Sequence, residues 1–234
     1  MKTPTYSPAR RHFIQHLSTA LVWAGCAPLL GVGCSRKTEW QWTTAAPLPF
    51  KLQEIYAAVL NDRIHIAGGF IEQFGGFGVS DHHIAYDPHQ NIWETRAPLP
   101  QARHHPQLVA AGEMLYVLGG YQATGMEASW IMHPSTWAYD PKRDSWEEKT
   151  PAPQPHGETV GAALGGNIHL VGGRQIAGQI NKNYSDHEDT DIHWWYDPRA
   201  DRWDRCAPAL SKRNSAAAAV IDNQWYVVGG RNMA

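Results

Sequence analysis

Ten to twelve residues after Trp42, Trp93, Trp146 and Trp203, the chain gathers side chains that bind charge or move protons. The tenth positions hold Leu52, Arg103, His156 and Arg213, the eleventh Gln53, His104, Gly157 and Asn214, and the twelfth Glu54, His105, Glu158 and Ser215. A further set follows four glycine pairs directly: Phe70, Tyr121, Arg174 and Arg231. Guanidinium forks match carboxylates, and aromatic rings suit the faces of sugars. Glu and His serve as general acids and bases. The chemistry on offer is therefore ligand binding by Arg103, His104, Arg174, Arg213, Asn214 and Arg231. Glu54, Glu158 and His156 are the candidates for proton transfer. Taken singly, each is also an ordinary solvated loop residue.

Residues 174–193, RQIAGQINKNYSDHEDTDIH, add His187, Glu188, Asp189, Asp191 and His193. Carboxylates with two imidazoles suit a metal. The stretch lacks a tight ligand spacing, however, and reads as a charged exposed loop, so neither a metal nor a cofactor is expected. His104 and His105 are adjacent, as are His82 and His83. Neighbours on an extended strand face opposite ways, so neither pair is expected to share an ion. No Ser-His-Asp, phosphate-loop or paired-cysteine zinc signature stands out.

The elements that must position these residues repeat. YDPHQNIW (86–93), YDPKRDSW (139–146) and YDPRADRW (196–203) share one frame, Tyr-Asp-Pro, four variable residues, then Trp. Glycine pairs at 68–69, 119–120, 172–173 and 229–230 close four apolar runs. From each Trp to the first Gly of the next pair is 26 residues, four times over. All variation in length falls between Gly-Gly and Tyr-Asp, where the first-Gly-to-Tyr intervals are 18, 20 and 24. The run before each glycine pair is short and rich in Ile, Val, Tyr and Trp, which suits a buried strand. A second run precedes it, joined through Asn61-Asp62, Gly112-Glu113, Gly165-Gly166 or Asp222-Asn223. These pairs suit two-residue hairpin turns. A third strand ends at Tyr-Asp, where Asp-Pro opens a turn, and a fourth begins near Trp. Each repeat is thus an antiparallel meander of strands a, b, c and d.

Four-stranded units at this period resemble the kelch-type β-propeller blade over residues 40–234, on the glycine pairs, the Tyr-Asp-Pro turns and the Trp. The resemblance implies an all-β propeller in which the motif glycines let strands pass closely and the motif aromatics fill space between blades. The chain would supply three complete blades, strands a and b of a fourth, and a lone d strand over 40–44. That makes residues 34–234 an incomplete propeller, part of a six- or seven-bladed ring. Such an open ring is expected to fold poorly alone. Because strands alternate direction, the bc and da loops share one end. Length variation gathers there, and loops on a rigid frame commonly carry function.

The first 33 residues are different text. Arg10 and Arg11 precede an apolar run from Leu17 to Val32, which reads as a targeting segment outside the fold. With Phe13 the paired arginines resemble a twin-arginine export signal, and a general secretory signal is the alternative. Gly33-Cys34 resembles a lipoprotein processing site, with Cys26 a weaker candidate. Lipidation of Cys34 would be the sole link to a membrane, and the protein would be periplasmic or attached to the envelope. Cys206 is the single cysteine beyond position 34, which excludes a disulfide framework. The formal charge of -2, with no long run of one sign, points away from nucleic acid.

Two functions fit. One is an exported binding module that takes a glycan, peptide or protein on its bc/da end. The other rests on resemblance to exported bacterial kelch propellers that include the N-acetylneuraminate epimerase family. It implies an isomerase in which arginines hold the carboxylate of an acidic sugar while Glu54, Glu158 or a His moves the proton. No Tyr–Cys copper ligand set supports the oxidase chemistry also seen on such propellers.

Overall fold

The structure, a computed structural model, describes residues 41–232 apart from 74–75 and 125–126. The targeting segment, Cys26 and Cys34 lie outside the described residues. The fold belongs to the unit that starts at Thr43. The first repeat forms strands a to d as Ala57–Leu60, Arg63–Ala67, His83–Asp87 and Ile92–Arg96. The second does so as Gln107–Ala111, Met114–Leu118, Thr136–Asp140 and Ser145–Lys149. The third has Val160–Leu164, Asn167–Val171, His193–Asp197 and Arg202–Arg205. Each is a four-stranded antiparallel sheet in the order a-b-c-d, and Ala217–Ile221 pairs with Gln224–Val228 as a fourth a–b hairpin. The ab turns behave as their residue types require. Asn61 and Asp62 both take positive φ, at 50° and 59°, as the hairpin turn demands.

The sheets stack face to face, with strand a of each against strand a of the next. Strands b and c of the second sheet are buried on both faces, so their apolar residues split by parity. Leu115 and Val117 pack toward the first sheet with Leu60, Leu108, Trp137 and Tyr139. Tyr116 and Leu118 pack toward the third with Val109, Ile168, Leu170 and Tyr196. In the a–b hairpin Ile221 and Val228 are exposed.

A latch repeats between sheets. Trp93, Trp146 and Trp203 donate their indole N–H to the carbonyls of Ala46, Ala97 and Thr150, at 3.0, 2.8 and 2.9 Å. The N–H of those same three residues donates to Asn91, Asp144 and Asp201, at 2.7, 3.0 and 2.9 Å. Tyr86, Tyr139 and Tyr196 of the Tyr-Asp-Pro turns donate their hydroxyls to the same three acceptors. One of the four residues between Tyr-Asp-Pro and Trp is therefore not variable in role. It is Asn or Asp, held left-handed at φ 55°, 46° and 49°.

The expected lone strand over 40–44 is not formed in its described part: residues 41–48 carry no strand and Trp42 is fully exposed. A strand needs a partner for its hydrogen bonds, and the first four-stranded sheet ends at Ile92–Arg96 without taking this stretch as a further strand.

Candidate functional site

At the bc/da end the loops are not loose. The bc segments are hairpins, Phe70–Gln73 with Gly76–Val79, Tyr121–Thr124 with Glu127–Met132, and Arg174–Ile176 with His187–Asp189. Each is zipped to the da segment of its own repeat. The residue eleven after Trp pairs antiparallel with the residue after the glycine pair, as Gln53 with Phe70, His104 with Tyr121, Gly157 with Arg174 and Asn214 with Arg231. The two sets singled out by spacing are thus one set in space.

The next residue along is left-handed in every repeat, with φ 51° at Glu54, 52° at His105, 52° at Glu158 and 50° at Ser215. This turn releases those side chains from the sheet. Glu158 is the hub: its side chain is fully buried, and Arg231 Nη2 lies 3.1 Å from Oε2. Ser215 Oγ donates to the same oxygen at 3.0 Å, and the Tyr121 hydroxyl reaches Oε1 at 3.4 Å. Burial and then the Glu158 charge push the Tyr121 phenol well above its usual range. The same causes, with Glu54 added, push Tyr56 up to about 12.

Next to this hub His105 Nε2 meets Glu54 Oε2 at 3.1 Å, and His105 Nδ1 meets His104 Nδ1 at 2.7 Å. The network assigns the protons. His105 donates from Nε2 to the carboxylate and accepts at Nδ1 from His104. Burial holds the His105 imidazole below its ordinary value, and the Glu54 carboxylate opposes that shift. The adjacent histidines were expected to face apart. They meet because His105 is left-handed rather than extended.

Around this polar line stands an aromatic wall. The Trp130 ring lies 5.0 Å from those of His104 and Tyr121, 5.6 Å from His105 and 4.8 Å from Tyr184. Phe70 stacks on His104 at 4.2 Å. Trp130, Tyr184 and Tyr56 carry no marker in the repeat pattern. The first two sit where the bc segments differ in length, so no column contains them.

The tenth positions after Trp do something else. The carbonyls of Arg103, His156 and Arg213 accept from the second glycine of the preceding pair, Gly69, Gly120 and Gly173, at 2.8, 2.9 and 2.7 Å. Arg103 was expected at the ligand face, but it is fully buried, over the Trp137 ring at 4.9 Å and bonded to Ser135 and Gln101. Burial lowers its pKa to about 10. His156, also buried, lies against Gly119 and is 6.4 Å from the Trp203 ring, and neither of its ring nitrogens has a hydrogen-bond partner among the described residues. Arg213 donates to the Gly229 carbonyl and Ser211. Arg174 stacks on Tyr184 at 3.9 Å and reaches the His187 carbonyl and Asp189. Asn214 bonds Asp189 and Arg231. The acidic loop does not converge on one ion-sized point. Asp189 serves Arg174 and Asn214, Glu188 serves Gln175 and Lys212, and His187 serves Asn181.

No family model matches the chain. The chain is similar to Kelch-like protein 26 of Mus musculus, 33% identical over 218 residues that take in 75% of this chain and 35% of that protein. It is similar also to Kelch-like protein 36 of Bos taurus, 25% identical over 234 residues, covering 81% of this chain and 37% of that protein. It thus spans about a third of the length of these relatives. Among solved structures, that titled "Structure of YjhT" superposes with a TM-score of 0.68 at 16% identity, over 81% of this chain and 63% of that one, which speaks for the fold. Glycine pairs, Tyr-Asp-Pro turns and latching tryptophans on stacked a-b-c-d sheets, together with these relatives, identify the chain as a kelch-repeat β-propeller protein.

Proposed function

We propose that the chain is a binding module that takes a peptide or protein segment on its bc/da end. One observation carries the reading: two half-exposed charges of opposite sign, Glu54 at 53% and Arg231 at 58%, are held by His105 and Glu158 in the polar network that the half-buried ring of Trp130 walls, with Tyr184 against that ring, on sheet-backed loops. Arg, Trp and Tyr dominate the energetics of protein recognition, and a rigid frame spares the entropy of ordering them. The experiment is selection of a displayed random-peptide library on the immobilised chain. Enriched peptides should bind Trp130→Ala and Arg231→Ala at least about 10-fold more weakly. No enrichment, or peptides indifferent to both variants, would refute the reading. Signal confined to a glycan array would move the ligand to the sugars.

The second reading, proton transfer on an acidic sugar, draws support from the His105–Glu54 pair beside Arg231. Against it, the candidate arginines are already engaged: Arg231 by Glu158, Arg174 by Asp189 and Tyr184, Arg213 by Gly229 and Ser211. NMR exchange between the anomers of N-acetylneuraminate decides, since a rate equal to the uncatalysed one removes this reading. Export is part of the proposal and rests on Arg10, Arg11 and the run 17–32. Cell fractionation with mass analysis of the mature N-terminus tests it, and an unprocessed chain in the cytoplasm would defeat it.

A further inference from the structure

Away from the site already described, strands b and c of the third sheet and the residue that follows strand d bring His169, His193 and Cys206 together. We propose that His169 Nδ1, His193 Nε2 and Cys206 Sγ form a three-ligand site for a borderline transition-metal ion, Zn²⁺ by preference, with one coordination position left for water or an exogenous ligand.

The backbone register sets the group. His193 on strand c pairs with Val171 on strand b, so His169, two residues earlier, shares its face. Cys206 follows strand d, and its N–H donates to the His193 carbonyl at 2.8 Å, which places it opposite His193. The two nitrogens are 3.0 Å apart, and the three ligand atoms lie within 4.8 Å of one another. A tetrahedral zinc ion with ordinary Zn–N and Zn–S bonds sets N–N at about 3.3 Å and N–S at about 3.6 Å. The nitrogens, 3.0 Å apart, are already near that spacing, and the sulfur lies within 4.8 Å of both. Two imidazoles and a thiolate are the donor set that selects zinc over the hard cations.

The surrounding groups orient the ligands. His193 Nδ1 lies 3.3 Å from the Ala207 carbonyl, so its proton belongs there and Nε2 presents a lone pair inward. Ligation needs the His169 proton on its other nitrogen and releases the Cys206 thiol proton to solvent. Trp225 of the following hairpin lies 6.0 Å from His169 and 5.6 Å from His193, screening one side of the group.

The first repeat is a built-in comparison. His65 Nδ1 and His83 Nε2 lie 3.0 Å apart, and His83 Nδ1 is 3.3 Å from the Ala97 carbonyl. The pair sits at the same repeat positions, but three residues after the Trp stands Arg96 where the third repeat has Cys206. The Arg96 charge repels a proton on either imidazole and would repel a metal likewise. The second repeat has Tyr116, Thr136 and Lys149 at these positions. The thiol thus occurs in the repeat that holds a histidine pair and lacks the cation.

The test uses the full untagged chain, reduced, with Cys26→Ser and Cys34→Ser so that Cys206 is its one thiol. Co²⁺ serves as the optical probe and Zn²⁺ as its competitor. One equivalent of Co²⁺ should produce a thiolate-to-cobalt charge-transfer band that Zn²⁺ abolishes. Cys206→Ser should lose the band and weaken Zn²⁺ binding at least ~100-fold, and His193→Gln should do likewise. Arg96→Cys should raise the stoichiometry from one to two, a gain that no loss of folding can mimic. Absence of the band, its survival in Cys206→Ser, or no second equivalent in Arg96→Cys would overturn the proposal.

Discussion

Arg231 Nη2 lies 3.1 Å from Glu158 Oε2 across 73 residues of chain, tying the third da segment to the residue after the fourth glycine pair. The partners are unequal: the Glu158 side chain is 0% exposed and that of Arg231 is 58% exposed. Removing Glu158 strands the buried Tyr121 hydroxyl and frees Ser215. Removing Arg231 leaves Glu158 with both hydroxyl donors.

The first prediction follows from that inequality. Glu158→Ala should destabilise the fold by about 1–3 kcal/mol, the cost of leaving buried polar partners unmade. Arg231→Ala should cost less than about 1 kcal/mol, since an exposed charge is screened. Urea unfolding of both variants decides. Equal losses would mean that the carboxylate is held mainly by the guanidinium.

The second concerns the latch. Asp144 accepts from the Ala97 N–H at 3.0 Å and from the Tyr139 hydroxyl at 2.6 Å. Those bonds hold its carboxyl below the usual range. Asp144→Ala removes both, and alanine tolerates the left-handed backbone less well than Asp. The loss should be about 2–3 kcal/mol, and Asp144→Asn should recover at least half, since Asn91 fills this role in the first repeat. A silent Asp144→Ala in thermal unfolding would show that the sheets do not need the latch.

How much of this was legible follows from the range of each interaction. The meanders are written locally, in parity, glycine pairs and turn residues, so strands a to d were readable. The latch was half readable: Asn91, Asp144 and Asp201 recur two residues before Trp, but the backbone groups they bind, those of Ala46, Ala97 and Thr150, lie 45, 47 and 51 residues earlier. The left-handed corner at Glu54, His105, Glu158 and Ser215 carries no marker, because Glu, His and Ser share it and none of them is a turn glycine or asparagine. Its consequences, the meeting of His104 with His105 and the gathering around Glu158, were therefore hidden. Arg103 misleads for another reason: its type suggests a surface, while Trp137 and the blade joint bury it.

The third prediction is acid sensitivity above the carboxylate range. Burial lowers His156 to about 4, and His65 and His83 to about 4 and about 3. Both His156 nitrogens are buried without a partner. The unfolded chain then binds protons near pH 6.5 that the folded chain refuses, so stability rises with pH in this window. It should be full above about pH 6.5 and fall as pH drops toward 4, by up to ~3 kcal/mol for His156 alone. Asp144 and Asp201, whose carboxyls are also lowered, begin to tell below the usual Asp value near 3.8. Urea midpoints from pH 7.5 to 4.5 measure the effect, and His156→Leu should flatten the profile. A level wild-type profile would contradict it.

The fourth prediction separates backbone strain from close packing within one motif. Gly119 and Gly229 open two of the glycine pairs, with nearly the same φ of 62° and 69°. An added methyl on either meets the left-handed penalty, roughly 1–2 kcal/mol. On Gly119 it also meets His156, with Cε1 at 2.4 Å and the carbonyl oxygen at 2.5 Å. On Gly229 nothing lies within 4 Å. The His156 carbonyl accepts the Gly120 N–H at 2.9 Å, so it cannot retreat without breaking the bond that joins the second and third sheets. Gly229→Ala should therefore cost about 1 kcal/mol, and Gly119→Ala at least ~3 kcal/mol, the overpacking penalty added to the strain. Unfolding of the two variants side by side measures the difference directly. Equal costs would mean that the glycine pairs serve backbone conformation alone, and that the close approach of neighbouring repeats at this joint does not depend on the missing side chain.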